Sequence, residues 1–421
     1  MKQKGKTIIN IVLMILTMIV IVLLFGYWRG EAPITPEDGP ILDVETDIES
    51  TQEIVRSSNQ FALDLYNQYR QQEDNIFFSP YSIVTALAMT YEGAKNQTAE
   101  EMKLVLHLPD EETRGKGFAG LYNIFNQSKS DYILKTVNVL WPQEDYNFLT
   151  EYFSVIEKYY RGKATSLNFR DDPEGSRLTI NQWVEDQTEE KIKDLIPAGF
   201  IDPITRLVLT NAIYFKGTWL EGFDSDLTQE SDFYLDESEK VAVSMMQRIG
   251  EEPLRYAEID DVQILSLPYK GEELAMLILL PKQNEIGQLE ESLILEKLET
   301  YRQSLQPREI DLFLPRFKLE TKYFMKEDLA EMGMPIAFSM DADFSGMTGN
   351  KDLFISEVIH QAFVEVNEEG TEAAAATAVI MKESAMMIDK PVFRADRPFF
   401  FLIEHSETGA ILFMGRVNNP S

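Results

Sequence analysis

Glu368-Glu369-Gly370-Thr371-Glu372-Ala373-Ala374-Ala375-Ala376-Thr377-Ala378 follows an alternating run, Ala362-Phe363-Val364-Glu365-Val366. That run predicts a β-strand. A strand ended by a glycine and then many small residues admits two local readings. One is a short helix with Thr371 as N-cap, because alanine is a good helix former. The other is a segment built to slip between existing strands, where alanine packs weakly but takes little room. Local pattern alone favours the helix; the rest of the chain decides otherwise.

Four further segments accompany this stretch in fixed order. They are Asn75-Ile76-Phe77-Phe78-Ser79-Pro80-Tyr81-Ser82-Ile83; Asn181-Gln182-Trp183-Val184 through Lys191-Ile192; Asn211-Ala212-Ile213-Tyr214-Phe215-Lys216-Gly217-Thr218-Trp219; and Arg397-Pro398-Phe399-Phe400-Phe401-Leu402-Ile403 with Gly409-Ala410-Ile411-Leu412-Phe413-Met414-Gly415-Arg416-Val417. With residues 368–378 they resemble the serpins, the family of suicide-substrate protease inhibitors, from about Glu53 to Pro420. The resemblance implies one large α+β domain over 53–421. It implies a main mixed β-sheet, two further sheets, about nine helices, and an exposed reactive loop at about 368–397.

The resemblance also implies a mechanism. A protease serine attacks the loop and forms an acyl-enzyme. The cut loop then enters the main sheet as a new strand, and the tethered protease is distorted before it can deacylate. The energy comes from a metastable fold. Side chains alternate along a strand, so Thr371, Ala373, Ala375 and Thr377 share one face and Glu372 falls on the other. In the family the first face becomes buried, and here it holds no charge. Gly370 supplies backbone freedom at the pivot. Glu368 matches the hinge glutamate, Arg316 its basic partner, and Trp219 the tryptophan where the loop first enters. Ser79, Ser82, Asn211 and His360 match a polar cluster under the sheet.

Family spacing puts the scissile bond between Ser384 and Ala385, which suits elastase- or subtilisin-like proteases with a shallow primary pocket. Lys382 would draw trypsin-like enzymes instead, and Met381, Met386 or Met387 chymotrypsin-like ones. The implied partners are serine proteases, with cysteine proteases open because they too form acyl-enzymes. The rival reading is a non-inhibitory carrier or chaperone on the same fold.

Composition sets outer bounds. At 421 residues with 44% hydrophobic content the chain can build a large core, and no linker or repeat divides residues 53–421. A net charge of −31 opposes nucleic-acid binding. There is no cysteine, which excludes disulfides, thiol catalysis and cysteine-bound metal. No cofactor, metal or enzymatic activity is expected: the histidines are His107, His360 and His405, with no zinc-hydrolase, nucleophile-elbow or phosphate-loop motif. A monomer is expected.

At the N-terminus, Lys2, Lys4 and Lys6 precede an apolar run, residues 8–25, followed by Tyr27 and Trp28. Residues 1–28 therefore read as a membrane anchor or uncleaved signal, with the domain on the extracellular side, or secreted if the segment is cleaved. Residues 29–52 read as an acidic flexible tether. Beyond it, helices are expected at Ile54–Gln72, Ser82–Gly93, Thr98–Leu106 with Thr98 as N-cap, Leu149–Tyr160 and Gly175–Thr188. Strands are expected at Ile133–Leu140, Leu207–Phe215, Val262–Pro268, Ala275–Leu280, Glu309–Pro315, Phe354–Val366 and Pro398–Glu404. The mixture lacks strict β-α-β alternation.

Overall fold

Seventeen strands and ten α-helices make up the described residues of a computed structural model, which are 44–126, 131–249, 252–283, 285–371 and 390–421. The helices are α1 (Ile48–Tyr69), α2 (Pro80–Tyr91), α3 (Asn96–Val105), α4 (Glu111–Phe125), α5 (Thr150–Tyr160), α6 (Pro173–Gln187), α7 (Ile286–Glu291), α8 (Leu295–Ser304), α9 (Lys326–Glu331) and α10 (Ser345–Thr348). The strands run from β1 (Ile76–Phe78), β2 (Tyr132–Pro142), β3 (Lys163–Ala164) and β4 (Leu207–Thr218) through β5 (Gln229–Tyr234), β6 (Lys240–Ile249), β7 (Leu254–Ile259) and β8 (Val262–Pro268). They continue as β9 (Leu274–Pro281), β10 (Gln306–Arg308), β11 (Asp311–Pro315), β12 (Phe317–Phe324), β13 (Val358–Val366), β14 (Gly370–Thr371), β15 (Val392–Arg394), β16 (Phe399–His405) and β17 (Ile411–Val417).

Three sheets result. The six-stranded sheet has the order β12-β13-β14-β4-β2-β3, the seven-stranded one β1-β17-β16-β9-β8-β7-β10, and the four-stranded one β15-β11-β6-β5. The chain order of strands and helices is that of an α+β fold, with ten helices among the described residues where about nine were expected.

Apolar patterning explains the layers. β9, β16 and β17 are buried at every position, as continuous apolar strands covered on both faces should be. Behind the six-stranded sheet, α2 is buried from Pro80 to Thr90, the mark of a helix apolar all round. Phe77 of β1 stacks on Phe401 of β16 and Phe413 of β17, with ring centroids 5.8 and 5.3 Å away, and Phe413 reaches Phe215 of β4. On the other face α6 and the segment after it form a second core, in which Trp183, Ile192, Leu195 and Ile196 meet Ala212 of β4 and Ile359 of β13. This core lies across the join between β4 and β13.

Several expectations are corrected. Thr98 does not cap α3: the helix begins at Asn96 behind Lys95, without a side-chain cap. Thr98 is buried one turn in, where its Oγ1 accepts from Asp343 N–H at 2.9 Å. The tether gives way to helix sooner than residue 53, because Asp47 caps α1 by accepting from Ser50 N–H at 2.7 Å. Val44 is already packed on Ala119 of α4.

The expected placement on the extracellular side of a membrane is also corrected. Among the described residues no helix is long and apolar enough to cross a bilayer. The longest, α1, has 22 residues but includes Glu49, Glu53, Arg56 and Asp64. The apolar run 8–25, and with it the anchor, lies outside the described residues.

Candidate functional site: the mouth of the main sheet

The six-stranded sheet is closed along most of its length and parted at one end. Below, β13 pairs directly with β4 in parallel, from Val358 opposite Leu209 to Phe363 opposite Tyr214. Above, β14 separates them: Thr371 lies opposite Val366 on one side and Gly217 on the other. Thr371 is fully buried there. Two residues of the small-residue stretch thus already sit in the sheet, in strand form. Ala373, Ala375, Thr377, Ser384 and Ala385 lie outside the described residues.

Each side chain at this mouth has a physical reason to be where it is. The turn from β13 to β14 is closed by Asn367 N–H donating to Gly370 O at 2.9 Å, and its Oδ1 accepts from Glu369 N–H at 3.1 Å. Gly370 has φ +155°, and a Cβ built on it would stand 2.0 Å from Gly217 O. Only glycine fits such an approach. Trp219 donates from Nε1 to Asn367 O at 3.0 Å and from its backbone N–H to Glu369 O at 2.8 Å. Its ring stacks on Tyr269 at 4.6 Å. The Tyr269 hydroxyl in turn lies 2.7 Å from Thr371 Oγ1. Burial raises the Tyr269 phenol well above its usual value, with only partial relief from the bond to Thr371, so it stays protonated.

Glu368 and Arg316 form an ion pair. Arg316 Nε is 2.8 Å from both carboxylate oxygens and Nη2 is 2.6 Å from Oε1. Thr228 Oγ1 donates to Oε1 at 2.5 Å. Burial by itself would raise the carboxyl, but the bonds from Arg316 and Thr228 outweigh it and hold it below the ordinary value. Glu368 O also accepts from Phe223 N–H at 2.8 Å. The hinge is thereby tied to the 219–228 segment on both backbone and side chain.

The polar cluster sits behind the closed part of the sheet. Ser79 caps α2 by accepting from Ser82 N–H at 3.2 Å. Its own N–H donates to His360 Nε2 at 3.0 Å. That leaves the His360 proton on Nδ1, which faces Asn211 Oδ1 in a short contact. Asn211 Nδ2 donates to Ser82 Oγ at 2.6 Å and to Asn138 Oδ1. His360 is fully buried, and desolvation lowers its pKa to about 3, so the imidazole is neutral. His360 and Asn211 lie opposite each other on β13 and β4, the pair of strands that must part for any further strand to enter.

Sequence reasoning missed Asn138, Tyr269, Thr228 and Asn367. Asn138 had the best available signal: it lies in an expected strand, directly opposite Asn211. Among the described residues no group of histidine and acidic side chains could hold a metal ion.

A six-stranded sheet closed below by the β4–β13 pairing and parted above by the two residues of β14 is the arrangement of the serpin class. The chain belongs to the serpin family: the family model described as serpin (serine protease inhibitor) matches residues 56–420. A serpin-like protein of Thermococcus kodakarensis is 43% identical over 371 residues, 87% of this chain and 86% of that protein. The bovine leukocyte elastase inhibitor is 42% identical over 378 residues, 88% of this chain and all of the inhibitor. Among solved structures, human thyroxine-binding globulin complexed with thyroxine superposes with a TM-score of 0.79 at 30% identity, covering 88% of this chain and 100% of the other. These similarities, archaeal ones included, lend the extracellular membrane-anchored placement no support.

Proposed function

We propose that this protein inhibits serine proteases irreversibly. On this reading an acyl-enzyme formed at the reactive loop is trapped when the cleaved loop inserts between β4 and β13. The observation that carries the reading is the burial of Thr371 between Val366 and Gly217, above an otherwise closed β4–β13 pairing. A loop continuing from Thr371 is aligned to extend the same strand downward, and Ala373, Ala375 and Thr377 would follow Thr371 onto the buried face without a charge. The likeness to leukocyte elastase inhibitor supports trapping as the outcome. It also suits elastase- or subtilisin-like targets, with cleavage between Ser384 and Ala385. The reactive loop would lie at about 368–397, in a domain that takes in α1 from its Asp47 cap onward.

The carrier reading draws on the likeness to thyroxine-binding globulin. The uncharged inward face of residues 371–377 favours trapping over it.

The experiment mixes the protein with elastase-, subtilisin-, chymotrypsin- and trypsin-like proteases, followed by denaturing gels and mass spectrometry of the released C-terminal fragment. A denaturant-stable adduct supports trapping, and a fragment beginning at Ala385 supports the assigned bond. Cleavage without an adduct in all four cases moves the assignment to the carrier.

A further inference from the structure

Val44 is the first of the described residues, and it is already buried, 9% exposed. With the fully buried Ala119 of α4 it forms a small apolar cluster apart from the main core, on which Tyr122 of α4 and Tyr159 of α5 pack. Gly115, one turn before Ala119, lets the Tyr159 ring come close: a Cβ there would stand 2.9 Å from it. Two helices thus present a shallow floor of Gly115, Ala119, Tyr122 and Tyr159. Its rims are basic. Lys116 pairs with Glu112 at 2.7 Å, and its ammonium is favoured first by that bond and then by the charges of Asp47 and Glu45. Lys158 is exposed, with its ammonium 4.6 Å above the Tyr159 ring.

The sequence just ahead of Val44 suits this floor. Asp38-Gly39-Pro40-Ile41-Leu42-Asp43 holds the only adjacent pair of large apolar residues between 29 and 52, in a stretch otherwise rich in acid. In an extended chain side chains alternate, and Leu42 shares the face of Val44. In a polyproline turn, which Pro40 favours, the repeat is three and Ile41 shares it instead. Either backbone sets an aliphatic side chain on the floor and leaves Asp43 off that face, where a lysine rim can meet it. Val44 fixes the point of attachment. At about 3.3 Å per residue, Leu42 starts within about 7 Å of the floor, so the segment is presented at high effective concentration. The same segment of a second copy lacks that advantage and meets the repulsion of net charge −31.

We propose that residues 38–43 form a strap over the α4–α5 face, with Ile41 and Leu42 continuing the contact that Val44 begins. α4 leads into β2 and α5 into β3, so the strap joins the two helices that feed the β2–β3 edge of the six-stranded sheet. No residue of the loop or of the sheet mouth takes part.

The chain has no cysteine, which makes single thiols a clean probe of the strap. Ile41→Cys, Leu42→Cys and, as a control further up the chain, Thr35→Cys are made in the full-length protein; cysteine is itself a small apolar residue that suits the floor. The rate of reaction with a neutral maleimide is measured in buffer and in denaturant, and the ratio gives the protection of each thiol. The expected result is protection at least about tenfold greater at position 41 or 42 than at 35, lost when Ala119→Glu is added on the α4 side. Thiols at 41 and 42 as reactive as the one at 35 would overturn the strap. So would protection that survives Ala119→Glu in a chain of unchanged melting temperature, which would place the segment on another surface. Protection that rises with protein concentration would assign the contact to a second copy and overturn the strap as well. Tyr159→Ser, which opens the floor without adding a charge, takes the place of Ala119→Glu if that chain does not fold.

Discussion

Thr371 Oγ1 lies 2.7 Å from the Tyr269 hydroxyl, inside the sheet and out of reach of water. This bond anchors the leading residue of the hinge and gives its one polar atom a partner. An arginine at position 371 would have to bring a charge into the same space, at a cost of several kcal/mol without a counterion. Thr371→Arg is therefore expected to change the protein from inhibitor to substrate. Gels with the proteases above should show cleaved protein and free active protease in place of the adduct. The rise in melting temperature on loop cleavage should shrink. Undiminished trapping would show that this face does not need to be buried.

Gly370 meets Gly217 O so closely that a Cβ would stand 2.0 Å away. Gly370→Ala must either push β14 away from β4 or distort the turn. Either costs about 1–3 kcal/mol, and the native protein should melt several degrees lower in a thermal scan. Melting unchanged within a degree would mean that the β14–β4 contact is not held in solution.

How much of this was legible in the chain depends on where each partner comes from. Glu368, Gly370, Thr371, Trp219 and the 79–82 turn stand in short contiguous motifs, so the sequence identified them. Tyr269 and Thr228 reach the mouth from strand ends far away in sequence, joined only once the sheets pack, as in the bridge between Trp219 and Tyr269. Asn138 gains its role solely through the β2–β4 register, which local pattern does not determine. The misplaced cap of α3 has a similar origin. Asn96 adopts φ +51° and donates to Asp343 Oδ2 at 2.6 Å, so that helix is started by a contact 247 residues away. β5 escaped notice because it is polar and half exposed, with one fully buried position, and offers little apolar period to read.

Glu368 and Arg316 join the hinge to the strand segment entering β12. Arg316 is nearly half exposed, so solvent screens the pair and its net contribution is modest; its geometric restraint on the hinge matters more. Glu368→Lys replaces attraction by repulsion and also strands Thr228. Spontaneous loop insertion or polymerisation on warming is expected, read by native gels and size-exclusion chromatography after incubation, with trapping activity falling in parallel. A variant that stays monomeric and active would show that the pair does not restrain the hinge.

His360 makes the closed sheet sensitive to acid. Its folded pKa is lowered from 6.5 to about 3, so the unfolded or opened chain binds a proton that the closed sheet refuses. Stability is therefore full above pH 6.5 and declines as pH falls through the window from 6.5 towards 3. At pH 5 the loss is about 2 kcal/mol. Glu368, whose carboxyl is held below its ordinary 4.5, contributes a loss of the same sign only further into acid, and comparison with a His360 variant separates this imidazole from His107 and His405. On the trapping reading the fold is secured by a barrier, so the quantity to follow is a rate. Lowering pH from 7 to 5 should speed unfolding or spontaneous loop insertion several-fold, monitored by tryptophan fluorescence. In His360→Gln, which cannot protonate in that range, the rate should be faster at pH 7 but nearly flat with pH. Equal slopes for the two proteins would place the acid-sensitive group elsewhere than the β4–β13 seam.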